Sequence, residues 1–312
     1  MKEFNPERDL LSHSETRLSE SQEALYPLLV PKNESRAINM EDFRELYDVN
    51  KDLSFVKEAE AQFASDNIKR GVPERSLRGG KLFESMINFG IDKGGFLGPD
   101  ARTIVASRYD DINAGIDSFV EFEDEGMTSH LALAIDATRN PEDLTKKFDK
   151  IRESIDKGEL SSAKYFKSRN FRGELRHIIR VVVGADHPAI DSFADLIVRS
   201  IRLGKSIEIS RKEQRPSSTI EQLKKEFEEN NAAIEHHPLQ WIILLEIKPQ
   251  IEAARKRAER KQKPAVIDEC DKILSIINGI IKSKKGEGQS PDDEVLLNDR
   301  VYQLIQQEIR LF

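Results

Sequence analysis

Apolar positions change their spacing as the chain proceeds. Across residues 1–75 they are sparse and clustered, as in ALYPLLV and FRELYDV, among many Glu, Ser, Arg and Asn residues. This pattern predicts an irregular lead-in and then helices near 40–48 and 53–68, with Asn39 of NMEDF as a helix cap. In RGGKLFESMINFGIDKGG, Phe83, Met86, Ile87 and Phe89 form one apolar face at helical spacing, with Glu84 beside it. A glycine-rich loop, GIDKGGFLGPDA, follows. Residues 101–138 read as strands. RTIVAS is short and β-branched. DSFVEF alternates, which places Asp117, Phe119 and Glu121 on one face and Ser118, Val120 and Phe122 on the other. EDEGMTS reads as a turn. LALAI is apolar at every position, as a central strand covered on both faces requires.

Helical spacing returns in NPEDLTKKFDKIRESI, with Asn140 as cap and Pro141 at the first position. RHIIRVVVGAD is another apolar strand. HPAIDSFADLIVRSIRLG is a helix with a proline start and a glycine stop. After RKEQRPSST the spacing is helical only, near 218–233, 238–260, 264–284 and 292–310. The expected organisation is a helical N-terminal arm (1–75), an α/β core (76–215) in which strands alternate with helices, and a helical C-terminal domain (216–312).

Composition narrows the function. Of 312 residues, 34% are charged and 38% hydrophobic, and the net charge is −7. A whole-molecule basic field for nucleic acid is therefore absent, and only local basic surfaces qualify. Two exist: ARKRAERKQK at 254–263, and RNFRGELRHIIR with Lys164 and Lys167 before it and Phe171 interleaved. The second reads either as a strand-tracking phosphate surface or as a helix balancing nearby acids. A single cysteine, Cys270, rules out a disulfide framework and a cysteine-rich zinc site. No apolar run is long enough to span a bilayer, so the expectation is a cytoplasmic protein without membrane contact. The glycine-rich loop lacks the Gly-Lys-Ser/Thr ending of a phosphate cradle. No histidine has a serine and an acid at triad spacing.

What remains is acids. Metal-assisted phosphodiester cleavage needs a few oxygen ligands converging on one point, and Mg²⁺ takes one or two carboxylates plus water and phosphate. Here Glu84 lies on a helix, Asp117 at the start of one strand and Asp136 at the end of the next. A hairpin centred between residues 126 and 127 would make Asp117 and Asp136 direct cross-strand partners. SRYDDINAGID adds Arg108, Tyr109, Asp110 and Asp111, either as the rim of such a site or as an acid-rich turn.

This order resembles the PD-(D/E)xK superfamily, the restriction-endonuclease-like fold. The carriers are a helical Glu84, GID opening a strand, a hairpin, HLALAID ending in an acid, and the helix, strand and helix that follow, over roughly residues 78–205. The resemblance implies a mixed sheet flanked by helices, with Asp117, Asp136 and Glu84 holding Mg²⁺ or Mn²⁺. It also implies DNA or RNA as substrate. The motif lysine is replaced by Thr138, which can only hydrogen-bond. The family lets this lysine migrate, and Lys146, Lys147 and Lys150 are the nearest replacements, with Lys164 further on. The alternative is a nuclease-fold protein that has lost cleavage and binds nucleic acid or a protein partner, the latter through the helical terminal regions.

Overall fold

The computed structural model describes residues 18–124, 127–136, 141–169 and 171–312; residues 124, 127–128, 132–136 and 141–143 are described by their backbone alone. The elements are α1 (Glu20–Glu34), a 3-10 turn (Met40–Phe43), α2 (Val49–Arg70), α3 (Glu74–Gly94), β1 (Ala101–Val105), α4 (Arg108–Ala114), β2 (Ser118–Asp124), β3 (Met127–Asp136) and α5 (Pro141–Lys157). They continue as β4 (Ser161–Lys167), β5 (Arg172–Gly184), α6 (His187–Lys212), α7 (Ser217–Glu235), α8 (Leu239–Arg260), α9 (Pro264–Gly286), α10 (Asp293–Asn298) and α11 (Arg300–Ile309).

The five strands form one mixed sheet in the order β1-β2-β3-β5-β4. β1, β2 and β3 pair antiparallel as a meander. β5 returns parallel to β3, and β4 pairs antiparallel with β5 at the edge. The alternation in β2 divides as its sequence requires. Val120 and Phe122 enter the main core, while Phe119 joins Ala106, Ile116, Ala163, Phe166 and Ile178 in a second cluster. A third cluster, built on Phe43, Val49, Val56 and Tyr165, ties the 3-10 turn and α2 to β4.

Several expectations are corrected. The lead-in contains α1, held by a capping box between Ser19 and Gln22 even though Pro27 and Pro31 lie inside it. Asn39 does cap, accepting from the Glu41 amide at 3.0 Å, but only a single 3-10 turn follows. The glycines at 90 and 94 lie inside α3, which ends at Gly95 in the left-handed region. No side chain fits at Gly90, because a Cβ there would stand 2.5 Å from the Phe96 ring. RYDDINA is a helix, not a turn. Its cap is Ser107, whose hydroxyl accepts from the Asp110 amide. From Arg172 on, RGELRHIIR is strand, not helix, and SSAKYFK before it is the edge strand that periodicity passed over. Gly204 does not stop α6, which runs on to Lys212. The final helix is broken at Asp299, which ends α10 and caps α11. The cap proposed at Asn140 lies outside the described residues.

The boundaries expected near 75 and 215 fall between helices, yet one cluster of buried side chains runs from Leu25 through the sheet to Ile305. The contact of α8 with β5 has a polar cause. β4 leaves β5 after the Ser161–Ile178 pair. Beyond it the Val182 amide donates to Gln250 Oε1 at 2.9 Å, and Gln250 Nε2 donates to the Val182 carbonyl at 2.7 Å. One turn earlier, Glu246 accepts from the Gly184 amide at 2.9 Å. An i, i+4 pair of helix side chains thus supplies the ladder that a strand would have supplied, and buried backbone groups remain paired. Among the described residues no helix is long and apolar enough to cross a membrane.

Candidate functional site

Glu84 faces out of α3 between Phe83 and the buried Ser85–Asn88 stretch, half-buried over the end of the sheet where β2 begins. Burial pushes its carboxyl well above the usual carboxylate range, and the nearby charges of Asp117 and Asp111 push it further. Lys147 and Lys81 act against that rise. Asp111 responds in the same way: burial raises it, while Arg108 and Lys147 oppose the rise. Lys147, from the first half of α5, therefore acts on two acids carried by two other helices. A cation between like charges is what lets buried carboxylates coexist.

Asp117 precedes β2 by one residue, its carbonyl accepting from the Ala106 amide at 3.1 Å. One charged neighbour is Arg180 of β5. Burial lowers the Arg180 guanidinium, and Asp117 counteracts that shift. Arg180 donates through Nη1 to the Ala114 carbonyl, just before the Gly115–Asp117 entry to β2, while its Nε is buried without a partner. The ladders explain how two strands apart become neighbours: Arg180 pairs with Ala132, and Ala132 with Phe119, so Arg180 and Asp117 emerge on one face. Sequence reading passed over Arg180. The signal was present, an arginine set between β-branched residues in RHIIRVVVGAD.

The expected direct pairing of Asp117 with Asp136 is not found. Ser118 pairs with Leu133 and Asp124 with Met127, so the hairpin is one residue tighter at its centre than EDEGMTS suggested. Asp117 falls opposite position 134, and position 136 lies two residues on, beside Gly184. A shift of two preserves the face, so the positions are diagonal neighbours, whose Cα atoms typically lie roughly 7–8 Å apart. Among the described residues no group of three or more His, Cys, Asp or Glu side chains is arranged to hold a metal ion. The Asp136 side chain and Thr138 lie outside the described residues.

Of the expected rim, only part faces the site. Asp110 is buried and structural: it accepts from Ser107 Oγ at 2.7 Å and from the Lys164 and Tyr165 amides, locking α4 to β4. Tyr109 packs its ring against Phe55 and Tyr165. Arg108 is paired with Glu60 at 2.7 Å and with Asp111. Lys164 is drawn to Asp52, away from the acids. Lys146 and Lys150 are exposed on α5. In the basic run 254–263, Arg257 is paired with Asp156 and Arg255 with Asp271 and Glu259.

No protein-family model matches the chain, and no curated protein or solved structure matches it at a significant level.

Proposed function

We propose that the chain is a metal-dependent phosphodiesterase acting on DNA or RNA, a divergent relative of the PD-(D/E)xK nucleases. The observation that carries the proposal is that Glu84 of α3 feels the charges of Asp111 of α4, Asp117 before β2 and Lys147 of α5, and that Lys147 acts on Asp111 as well. The order of elements supports it: helix with glutamate, strand, short helix, hairpin, helix, edge strand, central strand, helix, with β5 parallel to β3.

The donor set fits a hard divalent cation. Its atoms are carboxylate oxygens, and burial among like charges makes the full set of anions unfavourable until a cation joins it. Glu84, Asp117 and Asp136 would hold Mg²⁺ or Mn²⁺, which when bound would supply Lewis acidity and an activated water. In this reading Lys147 takes the part of the missing motif lysine. Its ammonium balances the acids in the resting site and stabilises negative charge developing on the phosphate. Arg180 sets a positive charge beside Asp117.

Labelled single- and double-stranded DNA and RNA, incubated with Mg²⁺ or Mn²⁺, test the reading. Cleavage that Asp117→Asn abolishes is the expected result. No cleavage of any substrate, with no Mn²⁺ uptake by calorimetry, would overturn it. A second reading, a nuclease-fold module that binds nucleic acid without cutting, is favoured by the lack of a closed ligand set among the described residues and by threonine at 138. It requires salt-dependent binding without turnover.

A further inference from the structure

A second concavity lies at the opposite end of the parallel β3–β5 pair, between those strands and α9. It has a volume of about 700 Å³ and is lined by Ser129, His130, Arg176, His177, Lys272 and Ser275, with Leu175, Ile178 and Ile276 as apolar wall and Glu269 at its edge. Small-molecule sites commonly span about 300–1,000 Å³ and combine an apolar wall with a few fixed polar groups.

The lining is set by a backbone irregularity. Ser161 pairs with Ile178 and Ala163 with Leu175, so β5 carries one residue more than β4 between those pairs. The extra residue is accommodated at Arg176–His177, where His177 takes φ 60°, in the left-handed region. A bulge of this kind re-aims side chains, and a non-glycine residue held at positive φ persists only where its surroundings compensate. Here both bulge side chains line the cavity, opposite Lys272 of α9. His130 is held from behind: its Nε2 bonds Glu121 Oε2 at 3.0 Å, and its ring meets Phe166 edge-on at 4.9 Å. Glu121 is itself buried.

We propose that this cavity binds a phosphorylated small molecule. Arg176, Lys272 and two histidines face a single lining carboxylate, and two serine hydroxyls add donors. A guanidinium and an ammonium lining one cavity suit the tetrahedral oxygens of a phosphate. The volume exceeds that of phosphate alone, and Leu175, Ile178 and Ile276 receive the remainder of the ligand. Arg176 now pairs with Glu174 at 2.6 Å and Lys272 with Glu269 at 3.0 Å. Arg176 and Lys272 are well exposed, Glu174 and Glu269 less so, and pairs with a solvent-exposed cation exchange at little cost. The proposal is independent of the acid cluster near Asp117.

Calorimetry on the full chain at low salt, with AMP, glycerol 3-phosphate and inorganic phosphate as probes and adenosine and glycerol as their unphosphorylated counterparts, tests it. At least one phosphorylated probe should bind with Kd below ~1 mM, and its counterpart should not. The double variant Arg176→Ala with Lys272→Ala, at two exposed positions, should weaken binding by about tenfold or more. His177→Gly should raise Tm, by relieving the left-handed backbone, and still bind more weakly. No binding of any phosphorylated probe at ~10 mM, or undiminished affinity in the double variant, would overturn the proposal.

Discussion

Asp117 immediately precedes Ser118, whose partner across the β2–β3 ladder is Leu133, so the register carried on by one residue sets Asp117 two residues short of a direct pairing with position 136. This offset matters more than a direct pairing would. Directly opposed positions bring their Cβ atoms to about 4.5–5.5 Å, whereas diagonal positions stand roughly 7–8 Å apart, which is the spacing the proposed cation site would use. It also leaves room for Lys147 to reach both Glu84 and Asp111 from α5.

Lysine replacement on α5 should therefore be selective. Lys147→Ala should lower nucleic-acid cleavage by roughly 10²–10³, the usual loss when one preorganised electrostatic group is removed. Lys146→Ala and Lys150→Ala, at exposed positions, should stay within a factor of about three. Cleavage rates at saturating Mg²⁺ provide the check. Equal losses in all three variants would indicate a general basic surface instead of a positioned ammonium.

The sequence made the strands β2, β3 and β5 legible because each alternates or runs apolar against a known period. It made Glu84, Asp117 and Lys147 legible as candidates because their residue types and element positions are local properties. Hairpin register was not legible. Glycine within EDEGMTS marks a turn but does not count its residues, and one residue moves the Asp117 partner from 136 to 134. β4 was missed because its pairing with β5 is bulged, which breaks the period-2 pattern of SSAKYFK. Arg180 was missed because its role depends on two ladders that exist only after folding.

The N-terminal arm should depend on Asp52. Its carboxylate accepts from the Tyr165 hydroxyl at 2.5 Å and from Lys164 Nζ, whose ammonium also lies 5.2, 5.3 and 5.6 Å from the ring centres of Tyr47, Tyr109 and Tyr165. Removing the acceptor strands a buried hydroxyl. Asp52→Ala should cost about 2 kcal/mol and expose α2 to proteolysis before the sheet. Asp52→Asn keeps an acceptor for Tyr165 and should cost less. Urea unfolding with limited proteolysis separates the two. Identical stability in wild type and Asp52→Ala would remove this contact from the account of how the arm is held.

Glu246 should be a net liability at neutral pH. It is fully buried, its Oε1 has no partner, and burial raises its carboxyl well above the usual range, opposed by the Gly184 amide. An acid raised on folding contributes stability below its unfolded value and loses it as pH rises. Glu246→Gln keeps an oxygen for the Gly184 amide and cannot ionise. It should be more stable than wild type by at least ~1 kcal/mol at pH 8, with the gap closing toward pH 4. A gap that is constant with pH would place the effect in packing.

His237 gives the opposite slope, on the acid side. Its ring is buried, its Nδ1 accepts from the Leu239 amide at 3.2 Å, and Nε2 bonds Ser192 Oγ at 3.0 Å. Burial pushes its pKa down to about 4 from 6.5. Between these values the unfolded chain binds a proton that the folded chain refuses, so stability falls as pH drops from 6.5 to about 4 and levels off below. The full loss is on the order of 3 kcal/mol, from 1.36 kcal/mol per unit. His237→Asn, which keeps an acceptor for Leu239 and has no titrating group, should lose that part of the acid slope while being less stable at pH 7. Urea unfolding at several pH values between 4 and 7 measures both. An unchanged slope in His237→Asn would show that the acid sensitivity of the fold arises from other groups.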